Sequence, residues 1–530
     1  MAENKELQHE KSEEKQTIVY SAPAVRTPSL SRLADIAGDL GLDLTNEELQ
    51  QYQEVMAGKF NTTFQKIHEL AEPKLPVKYP RTNGYKPSKS QNTLNAWYWC
   101  CDIQGAGSGK LHGKTVAIKD NIPVAGIPMM NGSRILEGYI PDVDATVVAR
   151  VLDAGGRILG KSVCEDFCCS GESYSNATGP VLNPLDTTRS AGGSSSGNAA
   201  LIASGAVDMA LGGDQGGSIR IPAAACGIVG LKPTYGLVPY TAISSMETSL
   251  DHCGPMAKTV RDAALLLEAI AGLDEEGLDP RQPREMPVPP VYTEKLTGVI
   301  SGVRIGLLKE GFSSLIEPDV NVMVRRSAER LQELGAVVED VPVPWHSLGS
   351  DLFLDIFVEG GADTMFERFG GSSGLAYYNT HMQHAVTRGL KTHTNDSAPT
   401  VKLARMMARY LKEDYYGFFY SKSQNLRREL TRAYDEALSK YHVLIMPTVP
   451  KRTPKIPDIT VSIKEFVHTA FLQICNTAPF DLSGHPALSI NAGSSHGLPV
   501  GMMIVGRRFD DAMVLNVAHA YEKLRDQVVS

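Results

Sequence analysis

The residues that could do chemistry lie in two turns built from small residues and at the end of one apolar strand. The turns are Ser190-Ala-Gly-Gly-Ser-Ser-Ser-Gly197 and Gly212-Gly-Asp-Gln-Gly-Gly-Ser-Ile-Arg220, and the strand is Thr115-Val-Ala-Ile-Lys119. Serine hydroxyls supply nucleophiles and a lysine supplies a base. Runs of small residues leave backbone N–H groups open to a developing oxyanion. Together these are the parts of an acyl-transfer site.

The elements around these residues alternate between strand and helix. Val116 and Ile118 alternate with Thr115 and Ala117, which reads as a short strand ending at Lys119. Asp144 is expected to cap a helix through Val147, Val148, Val151 and Leu152, which Gly155-Gly156 ends. Arg157 to Gly160 reads as the next strand. Ser194 to Ser196 open a helix through Ala199, Leu201 and Ile202, stopped near Gly205. Val207 to Leu211 is a further strand, running into the loop from Asp214 to Ser218. In a β-α-β alternation, helix N-termini and the carboxyl ends of parallel strands share one edge of the sheet. Lys119, Ser194 and Ser218 are therefore expected on the same edge.

With these motifs in order, the chain resembles the amidase signature family, whose members use a Ser-Ser-Lys triad. The resemblance rests on Ala117-Ile-Lys-Asp-Asn121, Gly192-Gly-Ser-Ser-Ser-Gly197, Asp214-Gln-Gly-Gly-Ser-Ile-Arg220, Pro222-Ala-Ala-Ala-Cys-Gly227 and Gly230-Leu-Lys-Pro-Thr234. Within the family it is most similar to bacterial amidases of nitrile and of aliphatic or aromatic amide breakdown. That likeness is carried by Trp97-Tyr98, Met129-Met-Asn-Gly-Ser-Arg134, Gly212-Gly-Asp-Gln215, Asn476-Thr-Ala-Pro-Phe-Asp481 and Gly497-Leu-Pro-Val-Gly-Met502. The resemblance implies an α/β fold with a large mixed sheet flanked by helices, preceded by a helical N-terminal segment.

It also implies roles. Ser218 would be the nucleophile, and Ser194, usually preceded in the family by a cis peptide bond, would relay its proton to Lys119. The backbone N–H groups of Gln215, Gly216, Gly217 and Ser218 would hold the oxyanion. Asp214 and Arg220 read as an ion pair bracing that loop. A lysine is ordinarily protonated up to about pH 10, so a base role asks for burial and for no carboxylate beside it. Asp120 is adjacent in sequence, but strand alternation turns it to the other face. Cys169 and Ile474, from the loops 168–174 and 474–484, are candidates for the pocket wall. No metal and no organic cofactor is called for. The substrate would be a small-molecule amide, with the acid and ammonia as products.

Rival readings use the same residues. Gly193-Ser-Ser-Ser-Gly197 matches the Gly-x-Ser-x-Gly nucleophile elbow centred on Ser195, with His252 and His485 downstream as possible partners. That reading leaves Lys119 and Ser218 unexplained. A P-loop needs Gly-Lys-Ser/Thr, and Gly197 is followed by Asn198. A subunit of a glutamyl-tRNA amidotransferase, releasing ammonia for a partner, typically reads Ser-Asp-Thr-Gly-Gly-Ser where this chain has Gly213-Asp-Gln-Gly-Gly-Ser218. Asp186 and Arg189 read as turn residues, and His381-x-x-His384 as a solvated helix face.

The net charge of −8 over 530 residues disfavours nonspecific nucleic-acid binding. No run approaches the 18 apolar residues of a membrane span, and the charged stretch Met1 to Gln16 has no apolar core of a signal. The eight cysteines lack C-x-x-C spacing, so free thiols and a cytoplasmic location are expected.

Residues 1–28 read as a disordered tail and 30–72 as a helical segment, with Thr45-Asn-Glu-Glu48 as a capping start. Residues 74–94 read as a linker and 95–525 as the catalytic domain. By analogy with related amidases, the helical segment would support a homodimer. Later elements are expected as a strand at Val303 to Leu308, helices at Asp319 to Leu334 and Thr400 to Lys440, and strands at Val443 to Met446, Leu488 to Ile490 and Met502 to Val505. Residues 346–402 match no motif and would shape access to the site.

Overall fold

The computed structural model describes residues 24–367, 376–458 and 460–527, so most of the tail expected at 1–28 lies outside the described residues. The chain divides into two compact units at Leu75 and Pro76. In the first unit, helices Leu30–Asp39 and Asn46–Val55 precede a π-turn, Met56–Phe60, and the helix Asn61–Glu69. Thr45 and Glu48 form a reciprocal capping box: the Glu48 N–H donates to Thr45 Oγ1 at 3.2 Å and the Thr45 N–H to Glu48 Oε2 at 2.8 Å. Leu33, Ala37 and Leu49 make its small core. Residues 24–28 are held within this unit, since the Ala24 N–H reaches Gln65 Oε1 at 3.0 Å and Gln53 Nε2 donates to the Pro28 carbonyl at 2.8 Å.

The second unit begins ahead of the expected boundary at 95. Arg81 pairs with Asp144 at 2.7 Å, and Tyr85 bridges to Cys100, so this segment is part of the folded unit. Among the described residues thirteen strands follow: β1 (Trp97–Gln104), β2 (Thr115–Lys119), β3 (Arg157–Ser162), β4 (Leu182–Asn183), β5 (Asp186–Ser190), β6 (Met209–Asp214), β7 (Val229–Lys232), β8 (His252–Ala257), β9 (Arg304–Leu308), β10 (Val337–Val341), β11 (Val443–Pro447), β12 (Ala487–Ser495) and β13 (Leu498–Gly506). Eleven of them form one sheet in the order β1-β3-β2-β6-β8-β7-β12-β13-β11-β9-β10. β2 runs parallel to both β3 and β6, and β9 runs parallel to both β10 and β11. The remaining pairs are antiparallel, so this is the large mixed sheet flanked by helices. The hairpin β12/β13 turns on His496 and Gly497, both at positive φ (51° and 79°), the geometry that matches strand twist.

Several local readings change. The cap of helix Thr146–Asp153 is Ala145. Asp144 instead accepts from the Ala125 N–H at 2.9 Å and from Arg81, which ties the segment around Arg81 into this unit. Asp186 and Arg189 lie in the strand β5, paired at 3.0 Å. The long helix expected from Thr400 to Lys440 is two, Pro399–Tyr415 and Phe418–Lys440. Tyr416 and Gly417 both take left-handed φ (55° and 75°) and end the first helix. Among its described residues the stretch 346–402 is largely helical, with Gly349–Ile356 and Thr380–His393 among its elements.

Candidate active site

The parallel trio β3-β2-β6 positions the site. Lys119 is the last residue of β2, Asp214 the last of β6, and helix Ser196–Ala203 begins at the same carboxyl edge. Lys119 and Ser194 are fully buried, whereas Ser218 keeps 8% exposure and is the most accessible of the three. Lys119 Nζ donates to Ser194 Oγ at 2.9 Å and to the Gly213 carbonyl at 3.0 Å. No carboxylate pairs with Lys119 among the described residues; Asp120 faces the other way and pairs with Lys161 at 3.2 Å. The Gly193–Ser194 peptide is cis. The next N–H along, that of Ser195, donates to the Ser218 carbonyl at 3.1 Å and ties the two turns together.

The loop 214–218 is held from below by a buried charge cluster. Arg220 reaches both oxygens of Asp214, with Nε to Oδ2 and Nη2 to Oδ1 each at 3.0 Å. Its Nη2 also donates to Asp481 Oδ2 at 2.6 Å, and Nη1 to the Thr477 carbonyl at 2.8 Å. Burial pushes the Asp214 carboxyl up, but the Arg220 guanidinium outweighs it and holds the group well below the usual carboxylate range. Burial, with Asp214 beside it, pushes the Asp481 carboxyl the opposite way. Asp481 is a third member that the sequence does not announce. It lies in a motif that carries the family resemblance, yet nothing local in the chain points it at Arg220.

The Asp214 carboxylate also orients the peptides of the loop. It accepts the Gly217 N–H at 2.5 Å and the Ile219 N–H at 3.0 Å. On the same peptide as the Gly217 N–H, the Gly216 carbonyl accepts from Thr477 Oγ1 at 2.6 Å. That peptide plane is pinned on both sides. The Gly217 N–H is thereby removed from the expected oxyanion donors, because it is committed to Asp214. The N–H groups of Gln215, Gly216 and Ser218 have no acceptor among the described residues. Gly217 sits at φ +136°, and a Cβ there would meet Ile221 Cδ1 at 2.7 Å, so both conformation and space require glycine.

A small cavity of ≈ 30 Å³ opens onto Ser218. Cys169 and Ile474 line it, together with Cys168, Gln215, Ile221, Met246, Phe353, Phe357 and Phe471. The phenylalanines carry no sequence signal: Phe353 lies in helix Gly349–Ile356 and Phe357 just after it, in the stretch that matched no motif. Cys168 also stands within hydrogen-bonding reach of Ser194 and Lys119. The rival elbow is not assembled. Ser195 Oγ donates to the Gly213 carbonyl at 3.3 Å, while His252 Nδ1 engages the Leu250 carbonyl at 2.7 Å and His485 Nε2 engages Asp435 at 3.2 Å.

A family model described as Amidase matches residues 49–515. The chain belongs to the amidase family. An enantioselective amidase of Rhodococcus rhodochrous is 42% identical over 498 residues, covering 93% of this chain and 95% of that protein. A glutamyl-tRNA(Gln) amidotransferase subunit of Methanosarcina acetivorans is 36% identical over 426 residues, covering 80% and 87%. Among solved structures, a bacterial aryl acylamidase of the amidase signature family matches with a TM-score of 0.69 at 25% identity, over 82% of this chain and 90% of that one. This amidase is a hydrolase of amide carbon–nitrogen bonds. No helix among the described residues is long and apolar enough to cross a membrane.

Proposed function

We propose that this amidase hydrolyses small carboxamides to the acid and ammonia through an acyl-serine intermediate on Ser218. The observation that carries the reading is the buried Lys119–Ser194 hydrogen bond of 2.9 Å, free of any carboxylate and tied to Ser218 through the Ser195 N–H. Ser218 Oγ attacks the carbonyl carbon while its proton passes through Ser194 Oγ to the Lys119 amine. The oxyanion is taken by backbone N–H groups of the loop, Gln215, Gly216 and Ser218, which Asp214, Arg220 and Thr477 hold in place. The C–N bond then breaks as Lys119 returns the proton through Ser194 to the leaving nitrogen. Water, deprotonated by the same relay, releases the acid from Ser218.

The lining of Phe353, Phe357, Phe471, Ile474 and Met246 suits an aromatic or branched acyl group, in keeping with the enantioselective amidase and the aryl acylamidase among its relatives. The isolated chain is the whole enzyme in this reading and works in the cytoplasm as a homodimer. Its eight free cysteines fit a reducing compartment, and the exposed Tyr52, Val55, Phe60, Phe64 and Ile67 of the first unit offer an apolar face for pairing.

The test is ammonia release from benzamide or propionamide by the purified chain alone, with glutamine as comparison. Ser218→Ala is expected to reduce turnover by on the order of 10⁵-fold with the fold intact. A serine-directed covalent inhibitor is expected to label Ser218 by mass spectrometry. Labelling at Ser195, or turnover of glutamine only and only with a partner protein, contradicts the proposal.

A further inference from the structure

Gln215 supplies a backbone N–H to the loop, but its side chain has a part of its own. It is buried at 2% exposure and lines the cavity that opens onto Ser218. Its Nε2 donates to Tyr240 Oη at 2.8 Å, and Tyr240 Oη in turn donates to the Ser244 carbonyl at 3.2 Å. The tyrosine proton is therefore committed to Ser244, and only a lone pair is left for Gln215. That fixes which end of the carboxamide faces Tyr240: the NH₂ end. The Oε1 atom is left buried with no hydrogen-bond partner among the described residues. An orphaned acceptor of this kind costs free energy unless something donates to it.

We propose that Gln215 Oε1 accepts an N–H of the substrate's carboxamide nitrogen, so that the side chain selects amides over esters at Ser218. This rests on the acyl-serine reading above. The carboxamide nitrogen is one bond from the carbon that Ser218 attacks, and Gln215 and Ser218 line the same cavity. A primary amide brings two N–H donors. One held by Gln215 leaves the nitrogen lone pair free to turn toward Ser194, from which it must take a proton to depart. An ester brings no donor and leaves Oε1 unpaired. Sites built to receive an N–H discriminate strongly against analogues that lack it.

The experiment compares kcat/KM for benzamide and methyl benzoate, which share the acyl group, in the unmutated protein and in Gln215→Met. Methionine keeps the side-chain length and removes the acceptor. The benzamide-to-ester ratio is expected to fall by about tenfold or more, carried mainly in kcat for the amide. Tyr240→Phe, which frees the Gln215 carboxamide to rotate, is expected to lower the same ratio by less, and it keeps the test open if Gln215→Met does not fold. A ratio within about threefold of the unmutated protein in both variants overturns the assignment. Failure of the unmutated protein to release ammonia from benzamide, with no label on Ser218, overturns the acyl-serine reading beneath it instead.

Discussion

Two lysines stand at the carboxyl ends of neighbouring parallel strands, both fully buried, in opposite company. Lys161 on β3 pairs with Asp120 at 3.2 Å and donates to the Ile122 carbonyl at 2.6 Å. Lys119 on β2 has a hydroxyl and a carbonyl for partners, with the Cys168 thiol also in reach. Ile118 lies in register with Lys161, and Lys119 with Ser162, so the two side chains leave adjacent rungs of one ladder. Burial lowers the affinity of the Lys161 amine for its proton, and Asp120 works to restore it. A buried lysine beside a carboxylate is committed to that pair. One whose side-chain partner is a serine hydroxyl is placed to exchange a proton with it, the base role proposed above. The alternation of strand residues sends Asp120 to Lys161 and away from Lys119.

The largest effect that can break this comparison lies at Lys119. Lys119→Arg keeps a positive charge and a donor, but a guanidinium stays protonated and cannot act as base. Turnover of benzamide is expected to fall by about 10³-fold while the thermal transition stays near that of the unmutated protein. Near-normal turnover in Lys119→Arg would show that the lysine only positions Ser194. Lys161→Met is expected to do the reverse. It strands the Asp120 carboxylate, which keeps only the Met130 and Asn131 N–H groups at 2.9 Å each. A loss of about 3–5 kcal/mol in urea unfolding is expected, with turnover per folded molecule falling far less than in Lys119→Arg. Adding Asp120→Asn should recover part of the stability. If Lys161→Met instead removes turnover and spares stability, the two lysines have been assigned the wrong way round.

How far this contrast is legible in the chain depends on range. Strand and helix patterns near residue 119 and residues 190–220 carry their own geometry, because alternation and small-residue turns are local. They are enough to expect Lys119, Ser194 and Ser218 at one sheet edge and Asp120 turned away. The break at Tyr416-Gly417 escapes such a reading, because the helical pattern continues on both sides of a two-residue left-handed kink. The commitment of the Gly217 N–H to Asp214 escapes it for another reason. A run of glycines shows that N–H groups can be exposed, but not which one the tertiary structure takes. Asp481, Phe353 and Phe357 come to the site from 130 or more residues away along the chain, through packing that no local pattern encodes.

A smaller effect sharpens the comparison from the acid side. Glu172 is buried and has no ion-pair partner among the described residues: Gln473 Nε2 donates to its Oε1 at 2.8 Å, and its Oε2 has no hydrogen-bond partner there. Burial pushes its carboxyl up to about 8. Like Lys119, it is a buried ionisable group with no ion-pair partner among the described residues. The ordinary glutamate value is about 4.3. Between that value and about 8 the folded protein holds a proton that the unfolded chain has released, so Glu172 contributes stability at low pH that is lost as pH rises through this window. Glutamine cannot ionise and resembles the protonated acid in shape. Glu172→Gln is therefore expected to melt a few degrees higher than the unmutated protein at pH 8.5, with the gap closing toward pH 5. Thermal melts of both proteins across that range decide it. A gap that stays constant with pH would mean that the Gln473 contact keeps Glu172 ionised, and that burial without a counter-ion is not enough to select the neutral form in this fold.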